Sequence, residues 1–270
     1  MLFADQALAR RLELHKATAA LEYARAQERL RSGSTAVLPI AGGNAVFVGS
    51  TSPITKAVGL GIQEPLTDTD LEAVEAFFVS RGATPKLELC PLADRSLLSL
   101  VGQRGYRIDH FRNVLIREIR PGELLPEGSP GVEVTRVEPD ERQLWVETVV
   151  RGFAGREEIT VEDTYVSQPM AHVPAVTCYL ARLGDEVVGG GAMAVRSALA
   201  YFSTTSVRPV YRGRGAQTAL LATRLQHAAE AGCDLVMVET NPGSPSQRNL
   251  ERMGFRIAYT TMAVIKELTT

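Results

Sequence analysis

Cysteine is scarce in this chain. Cys90, Cys178 and Cys233 are odd in number, far apart, and form no CxxC pair. That excludes a disulfide framework and a cysteine-built zinc site, and it fits a reducing, cytoplasmic compartment. Four histidines (His15, His110, His172, His227) show no metal-ligand spacing, so no metal is expected. An excess of positive charge is also missing. With a formal net charge of −2 and a pI near 6.1, no general attraction to nucleic acid or an anionic membrane is expected, and any anion site must be local. No long apolar run of signal-peptide or membrane-spanning kind occurs, and the N-terminal MLFADQALARRLELHKATAALEYARAQERL reads as an amphipathic helix. The single tryptophan, Trp145, lies on a helical stretch and is more simply core than a base-stacking platform.

The chain does have length and apolar content. Its 270 residues, 45% hydrophobic and 22% charged, suffice for two domains with a core each. A degenerate repeat supports that division. Gly105-Tyr106-Arg107-Ile108 matches Gly254-Phe255-Arg256-Ile257 at an offset of 149, and Ile116-Arg117-Glu118-Ile119 matches Ile265-Lys266-Glu267-Leu268 in the same register. Upstream, Phe77 to Gly82 followed by Leu87 to Pro91 parallels His227 to Gly232 followed by Leu235 to Thr240, with a one-residue gap. Pro121 to Gly131 is rich in proline and glycine and reads as a linker. The expected domains are therefore 1–120 and 132–270.

In the second domain the pattern predicts a strand at 132–136, a helix from Asp140 to Val150, and strands at 178–182 and 187–195 about a Gly184-Asp185 turn. A strand from Ala200 to Val207, a Gly-rich turn and a helix from Thr218 to Ala231 follow. The chain then continues as a strand at 235–240, a helix from Ser244 with a capping box, and a strand at 256–265. After its long first helix, the first domain runs in parallel: strands at 36–40, 45–49 and 58–62, a helix from Thr67, a strand at 87–90, a helix at 94–103 and a strand at 107–119. The fold class is α/β (α+β), a mixed, mostly antiparallel sheet with helices on both faces, occurring twice.

One turn concentrates anion-binding features. Val207-Arg208-Pro209-Val210-Tyr211-Arg212-Gly213-Arg214-Gly215-Ala216-Gln217-Thr218 joins a strand to a helix N-terminus. There the first N–H groups lack intrahelical partners, the helix dipole adds partial positive charge, and glycines let a diphosphate approach the backbone. A Walker loop is absent. A dinucleotide fingerprint from Gly213 would need glycine at Thr218, and the preceding elements form an antiparallel meander. The segment resembles the GNAT acetyltransferase pattern Arg/Gln-x-x-Gly-x-Gly/Ala at Arg212, Gly215 and Gln217, with Gln217 departing from the usual Gly or Ala. The preceding Val-x-Pro-x-Tyr-Arg-Gly and the later Met253-Gly254-Phe255 stand in family order.

That resemblance implies an acetyl-CoA-dependent N-acetyltransferase acting on a primary amine of a small molecule or peptide. The backbone of Gly213 to Thr218, including Arg214 and Ala216, would hold the pyrophosphate, and that of Thr205 to Val207 the pantetheine arm. Ser246 and Asn249 would face its thiol end. The family's usual tyrosine acid would stand at Leu250, so it is absent. Glu239, as a proton acceptor, and Tyr259 are the remaining candidates for proton transfer. A non-catalytic acyl-CoA sensor and a transferase for another acyl group are the alternatives.

Three further features stay open on sequence alone. Gly189-Gly190-Gly191 reads as a β-bulge or as a point of close ligand approach. Glu157, Glu158, Glu162 and Asp163 form either a solvated face or an attraction for a cationic amine. At the first domain's matching turn, Gln63-Glu64-Pro65-Leu66-Thr67-Asp68-Thr69-Asp70 has no glycine or arginine and three carboxylates. No CoA site is expected there.

Overall fold

A computed structural model of the protein describes residues 3–267, so the repeat's Leu268 lies outside the described residues. The chain divides into two compact units. The first runs to Val114 and also takes the residues from Ile257 on; the second is Leu115–Arg256.

The first unit begins with α1 (Gln6–Leu30), whose N-cap Asp5 accepts from the Leu8 amide at 2.9 Å. A hairpin, β1 (Ala36–Ile40) and β2 (Gly43–Phe47), turns on Ala41 and Gly42, both at positive φ, as a two-residue primed turn requires. Next come β3 (Lys56–Val58), α2 (Asp68–Val79), β4 (Lys86–Leu89), α3 (Arg95–Gln103) and β5 (Arg107–Glu118). The expected strand at 58–62 is corrected: β3 stops at Val58, because Gly59 and Gly61 adopt left-handed φ of 73° and 68°. The first unit's strand order is β1-β2-β3-β4-β11-β5, where β11 (Arg256–Ile265) is the last strand of the chain. It pairs antiparallel with β4, Met262 opposite Leu89. Leu71, Val74, Phe78, Leu87, Leu97 and Val264 form the core beneath.

A buried ionic cluster ties α1 to this sheet. Lys16 Nζ donates to Glu13 Oε1 at 3.2 Å and to Glu88, Lys56 Nζ donates to Glu88 Oε2 at 2.5 Å, and Tyr259 donates to Glu13 at 2.8 Å. Burial pushes the Glu88 carboxyl up, but the two ammonium groups overcome this and hold it well below the usual carboxylate range. Lys16→Met is therefore expected to lower stability by about 3–5 kcal/mol, as for a buried charge that loses its partner. The urea midpoint of the first unit would report it. A depressed folded-state pKa stabilises above the unfolded value near 4.5 and is lost as pH falls through the folded one, so this contribution should vanish in acid.

The second unit contains the end of β5, where Ile119 N–H donates to Asp234 O at 2.9 Å. It continues with β6 (Val132–Arg136), α4 (Arg142–Ala154), β7 (Val176–Leu183), β8 (Glu186–Arg196), β9 (Leu199–Val207), α5 (Ala216–Glu230), β10 (Leu235–Thr240) and α6 (Pro245–Arg252). Its strand order is β5-β10-β9-β8-β7-β6, antiparallel from β6 through β9 and parallel between β9 and β10. Pro121 to Gly131 is not a free tether: Leu125 packs on the core, and Ser129 lies against Gly215 so closely that a Cβ there would sit 2.4 Å away.

Each glycine of the β8 triplet meets a different neighbour. An added Cβ would stand 2.8 Å from Ser206 O at Gly189, 2.8 Å from Val149 Cγ1 and 3.0 Å from Trp145 Nε1 at Gly190, and 3.1 Å from Arg224 Cζ at Gly191. Adjacent strand residues face opposite sides, so α4 covers one face at Gly190 and α5 the other at Gly191. Trp145 is fully buried, and its indole N–H donates to Gly191 O at 3.1 Å.

Candidate functional site

The site is assembled where β9 ends and α5 begins. Parallel pairing runs from Leu235 opposite Leu199 to Val238 opposite Phe202 and stops there. Beyond it, Ser203–Val207 of β9 and Glu239–Thr240 of β10 are no longer paired with each other. A bulge helps to part them: Ala192 pairs with Ser203 and Gly190 with Ser206, so Gly191 alone stands opposite Thr204 and Thr205. Thr204 takes the strained left-handed φ of 47°. Thr205 and Val207 are half-buried along this opening. Ser206, buried, donates to Val149 O of α4 at 2.8 Å.

The chain then turns through Pro209–Tyr211 into α5, whose N-cap is Gly215 at φ 85°. Among the described residues no side chain caps this helix. Ala216, Gln217 and Thr218 thus begin α5 with amides that have no carbonyl four residues back within the helix. Gly213, at φ 77°, bends the approach. The two arginines of the turn differ in use. Arg212 braces the backbone, donating to Gly152 O at 2.8 Å and Val207 O at 3.4 Å, whereas exposed Arg214 lies over the Tyr211 ring at 5.6 Å. Arg208 stacks on the same ring at 5.0 Å.

Across the opening, Asn249 Nδ2 donates to Gln217 Oε1 at 2.7 Å, joining α6 to the first turn of α5. Gln217, the departure from the family pattern, is thus a bridging residue. Ser246 is half-buried on the same helix. The expected capping box at Ser244 is only half formed. Ser244 Oγ accepts from Gln247 N at 3.2 Å, but Gln247 Oε1 turns to Gly243 N at 2.8 Å. Leu250, where the family's tyrosine would stand, is 1% exposed and packs in the core with Met253 and Phe255.

The two proton-transfer candidates belong to different units. Glu239 lies at the opening, half-buried, and accepts from the Tyr201 hydroxyl at 2.6 Å. Tyr259 is instead a buried member of the first unit, and its hydroxyl is committed to Glu13. Burial and the Glu13 carboxylate push its ionisation far up. Tyr201 was not singled out by sequence. In parallel register it pairs with Met237, two residues before Glu239, which puts both side chains on one face.

Of the acidic loop, Glu157 is paired with Arg208 at 2.8 Å and Asp163 with Arg156 at 2.6 Å. These two carboxylates serve loop structure. The first unit's matching turn is closed: Thr67 and Asp70 cap α2 reciprocally, Asp70 N to Thr67 Oγ1 at 3.1 Å and Thr67 N to Asp70 Oδ2 at 2.9 Å. The Thr67 hydroxyl and amide hold the Asp70 carboxyl below its usual range. All three cysteines are buried and none is in a disulfide, and burial pushes the thiols of Cys90 and Cys178 up to about 12. Among the described residues no group of three or more His, Cys, Asp or Glu is arranged to hold a metal ion, and no helix is long and apolar enough to cross a membrane.

Residues 143–255 match the model of the acetyltransferase (GNAT) family. No curated protein matches the chain. The fold is similar over nearly its whole length to that of a GCN5-related N-acetyltransferase from Kribbella flavida, at TM-score 0.66 and 19% identity, covering 93% of this chain and 96% of that one. A tandem GNAT protein from the clavulanic acid biosynthesis pathway is similar at TM-score 0.63 and 14% identity, covering 98% and 97%. A GCN5-related N-acetyltransferase from Sphaerobacter thermophilus matches at 0.54 and 20%, covering 68% and 60%.

Proposed function

From a chain whose residues 143–255 form a domain of the acetyltransferase (GNAT) family, on a fold shared with a tandem GNAT protein, we infer an acetyl-CoA-dependent N-acetyltransferase with one working site, in the second unit. The observation that carries this reading is the meeting of an uncapped, glycine-led helix N-terminus with a strand pair that parts beside it. The amides at the start of α5 would receive the donor's pyrophosphate, with Arg214 beside them and Arg212 bracing the turn. Backbone groups of Thr205 to Val207 would pair with the pantetheine arm, and Ser246, Gln217 and Asn249 would border it. The acceptor is a primary amine of a small molecule or peptide. Three buried cysteines outside any disulfide support a cytoplasmic setting.

Transfer would be direct. The amine nitrogen attacks the thioester carbonyl, its proton passes to Glu239, directly or through water, and the C–S bond breaks; Glu239 then returns that proton, through water, to the departing thiolate, so CoA leaves as its thiol. Glu239, held by the Tyr201 hydroxyl at 2.6 Å, is the carboxylate available at the opening. Glu239→Gln should then lower kcat by about 10²-fold or more, the scale of general-base catalysis, with acetyl-CoA affinity within about twofold of wild type, by steady-state kinetics beside calorimetry. Unchanged kcat would remove Glu239 from this role.

A second reading rests on Leu250. A core leucine in place of the family's acid favours a non-catalytic acyl-CoA sensor. Release of free CoA from acetyl-CoA across a panel of amines, beside acetyl-CoA calorimetry, separates the two. Turnover supports the transferase, and binding without turnover on any amine supports the sensor. Turnover only with another acyl-CoA points to a different acyl group, and absence of all binding defeats both.

A further inference from the structure

Arg224 is an unusual residue for the middle of α5. It is fully buried, and among the described residues no carboxylate is paired with it: Nε donates to Leu220 O at 2.9 Å, while Nη1 donates to Ala192 O at 3.1 Å and Ser203 O at 3.5 Å. Among the described residues Nη2 is buried without a hydrogen-bond partner, and the guanidinium lies 4.6 Å from the centroid of the Phe202 ring. Burial pushes its ionisation down to about 9, with Tyr179 working weakly the other way. A guanidinium placed in a core without a counter-charge is costly unless something there requires it.

Its acceptors say what that is. Ala192 and Ser203 are the last ladder partners before the register breaks, and Gly191 is the residue that stands alone against Thr204 and Thr205. Gly191 carries no Cβ, and one would meet Arg224 Cζ at 3.1 Å, so the planar group fills the space that the missing side chain leaves. One cation thereby grips the backbone of both strands at the point where Thr204 is driven to positive φ.

We propose that Arg224 is a positioning residue that holds the β8–β9 bulge in place, and through it the backbone of Thr205 to Val207 in the orientation that receives the donor's pantetheine arm. Holding the bulge is a property of the free protein; the consequence for the donor rests on the acetyl-CoA reading above. Arg224 touches no reacting atom. It acts through the strand.

The test uses the full chain with Arg224→Met, which keeps much of the apolar volume, and Arg224→Lys, which keeps a cation but not the planar fork. Amide hydrogen exchange of the free proteins is the first readout. Exchange over 203–207 should quicken by about tenfold or more in Arg224→Met and less in Arg224→Lys, with β6–β7 amides unchanged. The second readout compares CoA with 3′-phosphoadenosine 5′-diphosphate, which keeps a pyrophosphate but lacks pantetheine. CoA should bind Arg224→Met roughly tenfold or more weakly, while the nucleotide binds both proteins alike. Equal weakening of the two ligands, or unaltered exchange at 203–207, would overturn the proposal. Should Arg224→Met fail to fold, Arg224→Lys carries the same comparison, and wild-type exchange at 203–207 together with wild-type CoA affinity in it would overturn the proposal equally. If wild-type protein binds neither ligand, the donor reading and the pantetheine consequence fall, while the exchange result still decides whether Arg224 holds the bulge.

Discussion

A chain ended at Arg256 is expected to lose cooperative folding of its first unit, although residues 1–114 remain intact. The reason is the position of β11, which lies between β4 and β5 in that unit's strand order and not at an edge. Its removal strips both neighbours of their ladder partner. It also takes away Tyr259, Thr261, Ala263 and Val264, each less than a tenth exposed, and leaves Glu13 without the Tyr259 hydroxyl. At about 1.5–3 kcal/mol for each large apolar side chain buried, with unpaired buried backbone groups added, the loss rivals the whole stability of a domain, about 5–15 kcal/mol. Limited proteolysis should cut the truncated chain within residues 1–114, and its thermal transition should lose amplitude. Adding a peptide of residues 257–270 should restore part of it. An undiminished transition, with the first unit protease-resistant, would show that β11 is dispensable.

That result would explain why the repeat was legible while the division of the chain was not. Offsets such as Gly105 to Gly254 reveal two copies of one pattern, and most elements follow from their periodicity: the hairpin about Gly184-Asp185, the apolar run of β10, the capped start of α2. Which unit a strand joins is a matter of pairing, and nothing local in Arg256–Ile265 distinguishes its own half from the other. Compact packing instead assigns Ile257 onward to the first unit and divides the chain at Val114/Leu115, inside β5 and ahead of the Pro-rich stretch.

The same distinction runs through the site. The glycine turn was legible because conformation and chemistry are written in adjacent residues, Arg212 to Gln217. Tyr201 and Arg224 were not, because each acquires its meaning only through parallel register or a bulge between strands. Tyr259 shows the same dependence on pairing. On sequence it is a tyrosine shortly after the Gly-Phe pair, and only its pairing shows that it serves Glu13.

The glycine turn permits the sharpest test of a single donor site. Gly215→Val is expected to weaken CoA binding by about 10²-fold or more. A β-branched residue is strained at φ 85°, and its Cβ would stand 2.4 Å from Ser129 Cβ and Oγ, so either the turn or the 121–131 segment must move. Strain of about 1–3 kcal/mol joins the loss of amide hydrogen bonds worth about 0.5–1.5 kcal/mol each, and 1.4 kcal/mol is tenfold in affinity. The two causes can be separated. Gly213→Ala meets nothing within 4 Å and bears only the conformational strain of φ 77°, so it should cost about tenfold or less. Gly215→Ala beside Ser129→Gly removes the clash but keeps the strain, and should fall between the other two. Calorimetry of the series should show one site per chain that weakens in that order. A Gly215→Val protein that still bound one CoA per chain with wild-type affinity would place the donor elsewhere. The first unit is the poorer host, because the reciprocal Thr67–Asp70 cap occupies its helix start and sets a carboxylate where a diphosphate would have to lie.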